Sequence, residues 1–155
     1  MNFKGSLVAV QDIEKSKEFY QTVLGLEVMA DLGVHVQLTG GMFLQTVNTW
    51  AEFIHKKEDE VILENNASEL YFEVDDMDEF IKFLDNRSDI DYIHPVVEHS
   101  WGQRAVRFYD LDKHIIEVAE DIVMVVKRFI DSGMTIEETA ERTSVEPKYI
   151  QDILD

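Results

Sequence analysis

Two stretches of the chain carry apolar residues at the three- and four-residue spacing of an amphipathic helix. Asp12 and Asp76 precede these stretches and suit the N-cap position, where a carboxylate accepts hydrogen bonds from free backbone N–H groups. Gly25 suits the left-handed residue that closes the first helix. The inward faces comprise Ser16, Phe19, Tyr20, Val23 and Leu24 in the first helix, and Met77, Phe80, Ile81 and Leu84 in the second.

The two helices belong to an internal repeat with an offset of 64 residues, in which Val10 matches Val74 and Asp12 matches Asp76. After each helix the pattern changes to short alternating runs that are typical of strands. These runs lie at 26–30, 34–38 and 42–47 in the first half, and at 92–97, 104–109 and 115–118 in the second. The pattern predicts two βαβββ modules, at 3–47 and 68–119, joined by a polar linker over 48–67 with one helical turn at 50–55.

The pattern changes character once more over residues 121–155. It predicts three helices, the second capped by Thr135 and the third beginning at Pro147. The spacing of the last two is similar to that of a helix-turn-helix, but this segment has eight acidic and four basic side chains. DNA binding is therefore not expected. The sequence predicts a three-helix C-terminal extension that covers one end of the domain over 1–120 or braces a partner subunit.

Charge and composition narrow the classes of partner. The 155 residues include 32 Asp and Glu against 14 Lys and Arg, a net charge of −18, which disfavours nucleic acids and anionic membranes. There is no cysteine, so neither a disulfide nor a thiolate site is possible. No apolar run has the length of a signal peptide or a membrane span. We expect a cytoplasmic protein that binds a small molecule.

Three segments resemble the vicinal oxygen chelate superfamily, which includes glyoxalases, bleomycin-resistance proteins and extradiol dioxygenases. The first is LVAVQDIEKSKEFYQTVLG over 7–25, with a strand, an Asp, a Ser-x-x-Phe-Tyr helix and a Leu-Gly end in the order of that superfamily. The others are ELYFEVDDMDEF over 69–80 and WGQRAVRFYDLDKHIIEVAE over 101–120. The resemblance implies an α+β fold in which tandem βαβββ modules form a cup-shaped mixed sheet, with a C-terminal helical appendage.

The resemblance also implies a divalent metal held by the first and last strand of each module. The four positions fall on Gly5, Gln45, Glu69 and Glu117. Glycine has no donor atom, so three ligands remain, all through oxygen. Among Mn²⁺, Mg²⁺, Ni²⁺ and Zn²⁺, such a donor set suits Mg²⁺ and Mn²⁺ best.

Strand alternation indicates which other side chains face the cup. His35, Gln37 and Tyr71 are candidate ligand-binding residues, together with Trp101 as an apolar wall and Arg107 as a partner for an anionic group. Each has an alternative role. His35 suits a hydrogen-bonded surface position, Trp101 suits the packing of a hairpin end, and Arg107 suits an ion pair with one of the many carboxylates.

Two functions follow from the resemblance. The leading hypothesis is a metal-assisted lyase or isomerase acting on a small vicinal-oxygen substrate, like lactoylglutathione lyase, with Glu117 as the catalytic carboxylate. The alternative is a metal-free small-molecule binding or sequestration protein of the bleomycin-resistance type, which Gly5 favours. A weaker third hypothesis is a ligand sensor whose C-terminal extension engages a partner. A homodimer is expected from the family.

Overall fold

The computed structural model describes residues 1–155, which form two compact units. The first unit comprises Met1–Ser68 and Tyr109–Ile115, and the second comprises Glu69–Phe108 and Ile116–Asp155. Each unit contains one four-stranded mixed sheet. No helix is both long enough and apolar enough to cross a membrane.

The first unit has its strands in the order β1-β4-β3-β2, with β1 parallel to β4 and β3 antiparallel to it. In this register Ala9 and His35 lie on either side of Gln45. Two short 3₁₀ turns complete the unit, at Thr39–Gly41 and Glu58–Glu60. Its elements are β1 (Ser6–Val10), α1 (Ile13–Leu24), β2 (Val28–Asp31), β3 (His35–Leu38), β4 (Met42–Thr46) and α2 (Val47–Phe53).

Helix α1 forms where the apolar spacing predicts it. Asp12 caps it by accepting a 3.1 Å bond from the N–H of Lys15, and Gly25 closes it in the left-handed conformation. Tyr20 is fully buried, as are Val10 and Leu44 of the sheet on which the helix packs. The alternation of the strands thus gives one face to the core and leaves the other for polar side chains.

The second unit repeats this arrangement with the order β5-β8-β7-β6. The tandem βαβββ organisation predicted from the repeat is therefore confirmed. Asp76 caps α3 as Asp12 caps α1, accepting a 2.8 Å bond from the N–H of Glu79. The elements are β5 (Glu69–Val74), α3 (Met77–Asp85), β6 (Asp91–Glu98), β7 (Arg104–Tyr109) and β8 (Ile115–Glu120).

The three C-terminal helices are α4 (Ile122–Asp131), α5 (Ile136–Thr143) and α6 (Pro147–Leu154), and they belong to the second unit. Phe129 of α4 packs on Gly102 so closely that a Cβ atom there would lie 2.1 Å from its ring. Thr135 and Glu138 form a reciprocal capping box at the start of α5. The sequence-predicted helices are thus all present.

The turn between β7 and β8 counts with the first unit because it packs on α1. The hydroxyl of Tyr20 donates a 2.6 Å hydrogen bond to Oδ2 of Asp110. Oδ1 of Asp110 accepts bonds from the backbone N–H groups of Asp112 and His114, at 2.9 and 2.8 Å. Asp112 in turn accepts a 3.1 Å bond from the N–H of Gln11. Side chains of the turn therefore complete the first unit.

Candidate functional site

Position 5, the first of the four implied metal positions, has no room for a side chain. Gly5 has a φ of 142°, and a Cβ atom added there would lie 1.6 Å from the carbonyl oxygen of Gly41. That contact is with backbone, so it is not relieved by rotation of a side chain. The close approach of the two glycines explains why the residue is glycine, and it excludes a metal-ligating side chain at this position.

Gln45, the second position, is buried and hydrogen-bonded through both its oxygen and its nitrogen within the first unit. Its Oε1 lies 2.7 Å from Nδ1 of His35, and its Nε2 donates a 2.7 Å bond to the hydroxyl of Thr49. Since an amide oxygen only accepts, Nδ1 of His35 carries the ring proton. His35 also stacks on Phe43, with ring centroids 5.7 Å apart, and Gln37 is half-buried on the same strand. The amide is therefore held by protein partners at both ends.

Glu69 and Glu117, the last two positions, meet at the side chain of Arg107 in the second unit. Nε of Arg107 donates a 2.9 Å bond to Oε2 of Glu69, and Nη2 contacts Oε2 of Glu117. The third nitrogen, Nη1, lies 3.4 Å from Nε2 of His94. The Glu117 side chain is only 7 % exposed, so its charge needs the guanidinium nearby. The ion pair, one of the two roles considered for Arg107, is the one present.

These residues do not fit a divalent metal as they stand. The two carboxylates of the second unit already share a guanidinium, which lies where a metal would have to contact both. No group of three or more His, Asp and Glu side chains is arranged to hold a metal ion. Gln45 belongs to the first unit and the two carboxylates to the second, so the three-ligand set stays a prediction.

The other candidates in the second unit form a hydrogen-bonded chain that ends at exposed aromatic rings. Trp101 stacks on His99 with centroids 4.4 Å apart, and its Nε1 donates a 3.1 Å bond to Gln103. Gln103 donates to the hydroxyl of Tyr71, which donates to Glu73 at 2.7 Å. Burial and the Glu73 carboxylate raise the pKa of Tyr71, so its hydroxyl remains a donor at neutral pH. Both rings are about half exposed and available to a ligand.

One charged cluster escapes prediction from the sequence. Glu120, at the end of β8, is 3 % exposed and accepts hydrogen bonds from both Arg104 and Arg128. Burial raises the pKa of Glu120, but the two guanidinium groups outweigh it and hold that pKa below its ordinary value. Arg104 also binds Asp78 at 2.7 Å, so it is a structural residue. The cluster depends on Arg128 of α4, and the local sequence pattern gives no sign that this arginine approaches Glu120.

The second unit also has a cavity of about 460 Å³ beside α3, within the size range of small-molecule sites. Its lining is mostly apolar, and Asp85 is the one charged residue in it. The cavity offers a binding volume without an evident reacting group. The lining residues are Ile81, Leu84, Asp85, Tyr92, Pro95, Val96 and Val106.

Residues 3–123 match the sequence profile of the Glyoxalase-like domain. The chain belongs to this glyoxalase-like family. The match covers both βαβββ modules, so the departure at Gly5 is that of a family member. No curated protein matches this glyoxalase-like chain.

Solved structures agree with the family. A protein of unknown function from Agrobacterium tumefaciens is 35% identical, with a TM-score of 0.71 over 78% of this chain and 94% of that one. A glyoxalase-related enzyme from Fulvimarina pelagi is 18% identical, with a TM-score of 0.67 over 79% and 89%. A lactoylglutathione lyase from Agrobacterium tumefaciens is 19% identical, with a TM-score of 0.57 over 79% and 95%. The last two show that the glyoxalase-like chain shares their fold.

Proposed function

We propose that this glyoxalase-like chain binds a small molecule without a divalent metal, in the manner of the bleomycin-resistance type of protein. The observation that carries the proposal is the close approach of Gly5 to the backbone of Gly41, which leaves no space for a metal-ligating side chain at position 5. A metal-assisted lyase or isomerase needs a strongly held ion to polarise the substrate oxygens. With one position closed and two carboxylates engaged by Arg107, the chain offers poor support for such an ion.

The same contacts argue against Glu117 as a catalytic base. A base must be within hydrogen-bonding reach of the proton that it removes. Glu117 is buried and its carboxylate contacts the Arg107 guanidinium. The side chain is better suited to holding Arg107 in place than to moving a proton.

In the second unit the proposed ligand contacts are Tyr71 and Trp101, because Arg107 is already engaged there by Glu69 and Glu117. His35 and Gln37 of the first unit stay separate candidates. Half-exposed aromatic rings provide apolar contact area with little conformational freedom to lose. The net charge of −18 favours a cationic ligand over an anionic one. Metal-free bleomycin, which is cationic, is therefore a suitable probe. We further propose a homodimer, as the family implies, which sedimentation velocity of the full chain would test.

The absence of a metal requirement is tested by thermal unfolding of the purified chain with Mn²⁺, Ni²⁺ or Zn²⁺. Since no donor set is free, we expect the melting temperature to stay unchanged with each ion. We also expect no isomerisation of the methylglyoxal–glutathione adduct above the uncatalysed rate. A metal-dependent rise in melting temperature that disappears in Glu117→Ala, together with turnover, would contradict the proposal.

Ligand binding is tested by titrating the chain with metal-free bleomycin and following the emission of Trp101. A Trp50→Phe background removes the emission of the other tryptophan. We expect saturable binding that weakens about tenfold in Tyr71→Ala, because one aromatic contact is worth on the order of 1.4 kcal/mol.

Tyr92→Ala is the matched control. Tyr92 is a similarly exposed tyrosine of the same unit, but it lines the apolar cavity beside α3. Binding that is unchanged in Tyr92→Ala and weakened in Tyr71→Ala supports the proposed contacts. The reverse result would indicate that the ligand binds in the cavity beside α3. The absence of saturable binding would contradict a function of the bleomycin-resistance type.

A further inference from the structure

The surroundings of Arg107 combine donors that are usually found around a metal ion. Two carboxylates and one imidazole approach its guanidinium from three different strands: Glu69 from β5, Glu117 from β8 and His94 from β6. Strand β7, which carries Arg107, lies between β8 and β6 in the sheet. Carboxylate oxygen and imidazole nitrogen are common ligands of Zn²⁺, Mn²⁺ and Ni²⁺.

We infer that the Arg107 guanidinium is a built-in cation that takes the place of a divalent metal, and that its removal leaves a metal site formed by Glu69, His94 and Glu117. The inference deepens the proposed function and rests on it, because it assumes that the native chain works without a metal. It adds the reason for that independence and identifies the three side chains that would hold an ion.

Charge is the first argument. Glu117 is buried and cannot remain ionised there at low cost unless a cation lies beside it. In the native chain Arg107 supplies that cation, and a guanidinium does not lose its proton at physiological pH. The second unit therefore holds its positive charge permanently, whatever the supply of metal ions.

Geometry is the second argument. The guanidinium uses different nitrogens for its three neighbours: Nε for Glu69, Nη2 for Glu117 and Nη1 towards His94. Its flat shape places these groups around its edge, and in the native chain they form no metal-binding group. When the side chain is shortened, the two carboxylates face a vacated space and repel each other until a cation enters.

The test uses the full-length chain with Arg107→Ala, and thermal unfolding with and without Zn²⁺ or Ni²⁺. We expect the melting temperature of Arg107→Ala to fall by on the order of 10 °C, the cost of leaving a buried carboxylate unpaired. Either ion should restore at least half of that loss. The native chain should not respond to either ion.

Two variants serve as controls. Arg104→Ala removes another arginine that binds two carboxylates of the second unit, but its buried partner Glu120 keeps Arg128. Arg107→Lys keeps a positive charge beside Glu117. We expect Arg104→Ala to lose less stability than Arg107→Ala, and neither control to respond to the metal ions.

If Arg107→Ala does not fold alone, the measurement is its refolding from urea with and without Zn²⁺, where the ion should raise the yield of folded protein. The double variant Arg107→Ala with Glu117→Ala has no unpaired buried carboxylate. It should therefore fold, and the ion should not change its refolding yield. The inference is overturned if Arg107→Ala gains no more from metal than Arg104→Ala, or if the double variant gains as much as the single one. A response of the native chain itself would instead overturn the proposed function.

Discussion

The two sheets have the same strand order, but they carry different polar side chains on the face that does not pack on the helix of each unit. The first presents Gly5 and the hydrogen-bonded pair of Gln45 and His35. The second, 64 residues later, presents Glu69 in the place of Gly5 and joins it to Arg107. The caps Asp12 and Asp76 are shared, and so are the helices that they begin. The repeat therefore preserves the positions that build each unit, while the polar face of each sheet has diverged.

The largest effect is expected from Gly5→His, which would restore a metal-ligating residue type to the first sheet. The new Cβ atom would meet the backbone of Gly41, and the residue would adopt a φ that side chains disfavour. We expect a loss of about 4 kcal/mol or more in the free energy of unfolding, measured in urea, and no gain of metal binding.

Gly33→Ala is the control for this substitution. Gly33 also has a positive φ, of 80°, but nothing lies within 4 Å of an added Cβ atom. Its loss should be about 1 kcal/mol, from backbone conformation alone. Equal losses in the two variants would mean that the contact with Gly41 is unimportant, and a stable Gly5→His chain that binds Ni²⁺ would remove the main difference between the sheets.

An intermediate effect is expected when a charge is moved between the sheets. Gln45→Glu would place a carboxylate at a buried position beside His35, with no arginine among the hydrogen-bond partners of this position. We expect a loss of about 2–3 kcal/mol at neutral pH, measured by urea unfolding. The reverse change, Glu117→Gln, should cost about 1–2 kcal/mol, because Arg107 keeps Glu69. A smaller loss in Gln45→Glu than in Glu117→Gln would show that the first sheet accepts charge as readily as the second.

The smallest effects concern the turns that join the last two strands of each sheet. The first turn contains Gly40 and Gly41, whereas the second contains Asp110 and Asp112. Burial raises the pKa of Asp110, but His114 and Tyr20 outweigh it and hold that pKa below its ordinary value. Burial raises the pKa of Asp112, and the bond from Gln11 only partly opposes this.

The two carboxyls therefore affect stability with opposite signs. The contribution of Asp110 is present above the ordinary pKa of about 4 and is lost as pH falls through its lower folded-state pKa. The contribution of Asp112 is present below pH 4 and is lost as pH rises through its raised pKa.

At pH 7 we therefore expect Asp112→Asn to stabilise the chain by less than about 1 kcal/mol, and Asp110→Asn to destabilise it by about 1 kcal/mol. Unfolding in urea at pH 7 and below pH 4 checks both signs, and both differences should shrink at the lower pH. A stabilising Asp110→Asn would contradict the assignment of this turn.

Local patterns made most of the fold predictable. Helical spacing and the caps Asp12, Asp76 and Thr135 are properties of neighbouring residues, and each helix begins where they indicate. The end of β8 was predicted at residue 118, but the strand continues to Glu120. A charged residue such as Glu120 normally indicates the end of a strand in the sequence. In the structure its charge is neutralised by Arg104 and Arg128, which belong to other elements.

The site was only partly predictable because its contacts are made by residues from other elements of the fold. That Gly5 lacks a donor atom is visible in the sequence, but the blocking carbonyl of Gly41 depends on how β1 and β4 align. Arg107 had two possible roles, an anionic ligand or an ion pair. The choice depends on the side chains of β5 and β8, which approach it only in the folded sheet.

The Asp110 turn makes the first unit discontinuous along the chain, which affects the order in which the protein forms during synthesis. Tyr20 leaves the ribosome 90 residues before the carboxylate that binds its hydroxyl. The amino-terminal half alone therefore lacks the segment Tyr109–Ile115, which supplies the acceptor for the Tyr20 hydroxyl. We therefore expect the first unit to complete its packing only after this later segment has been synthesised.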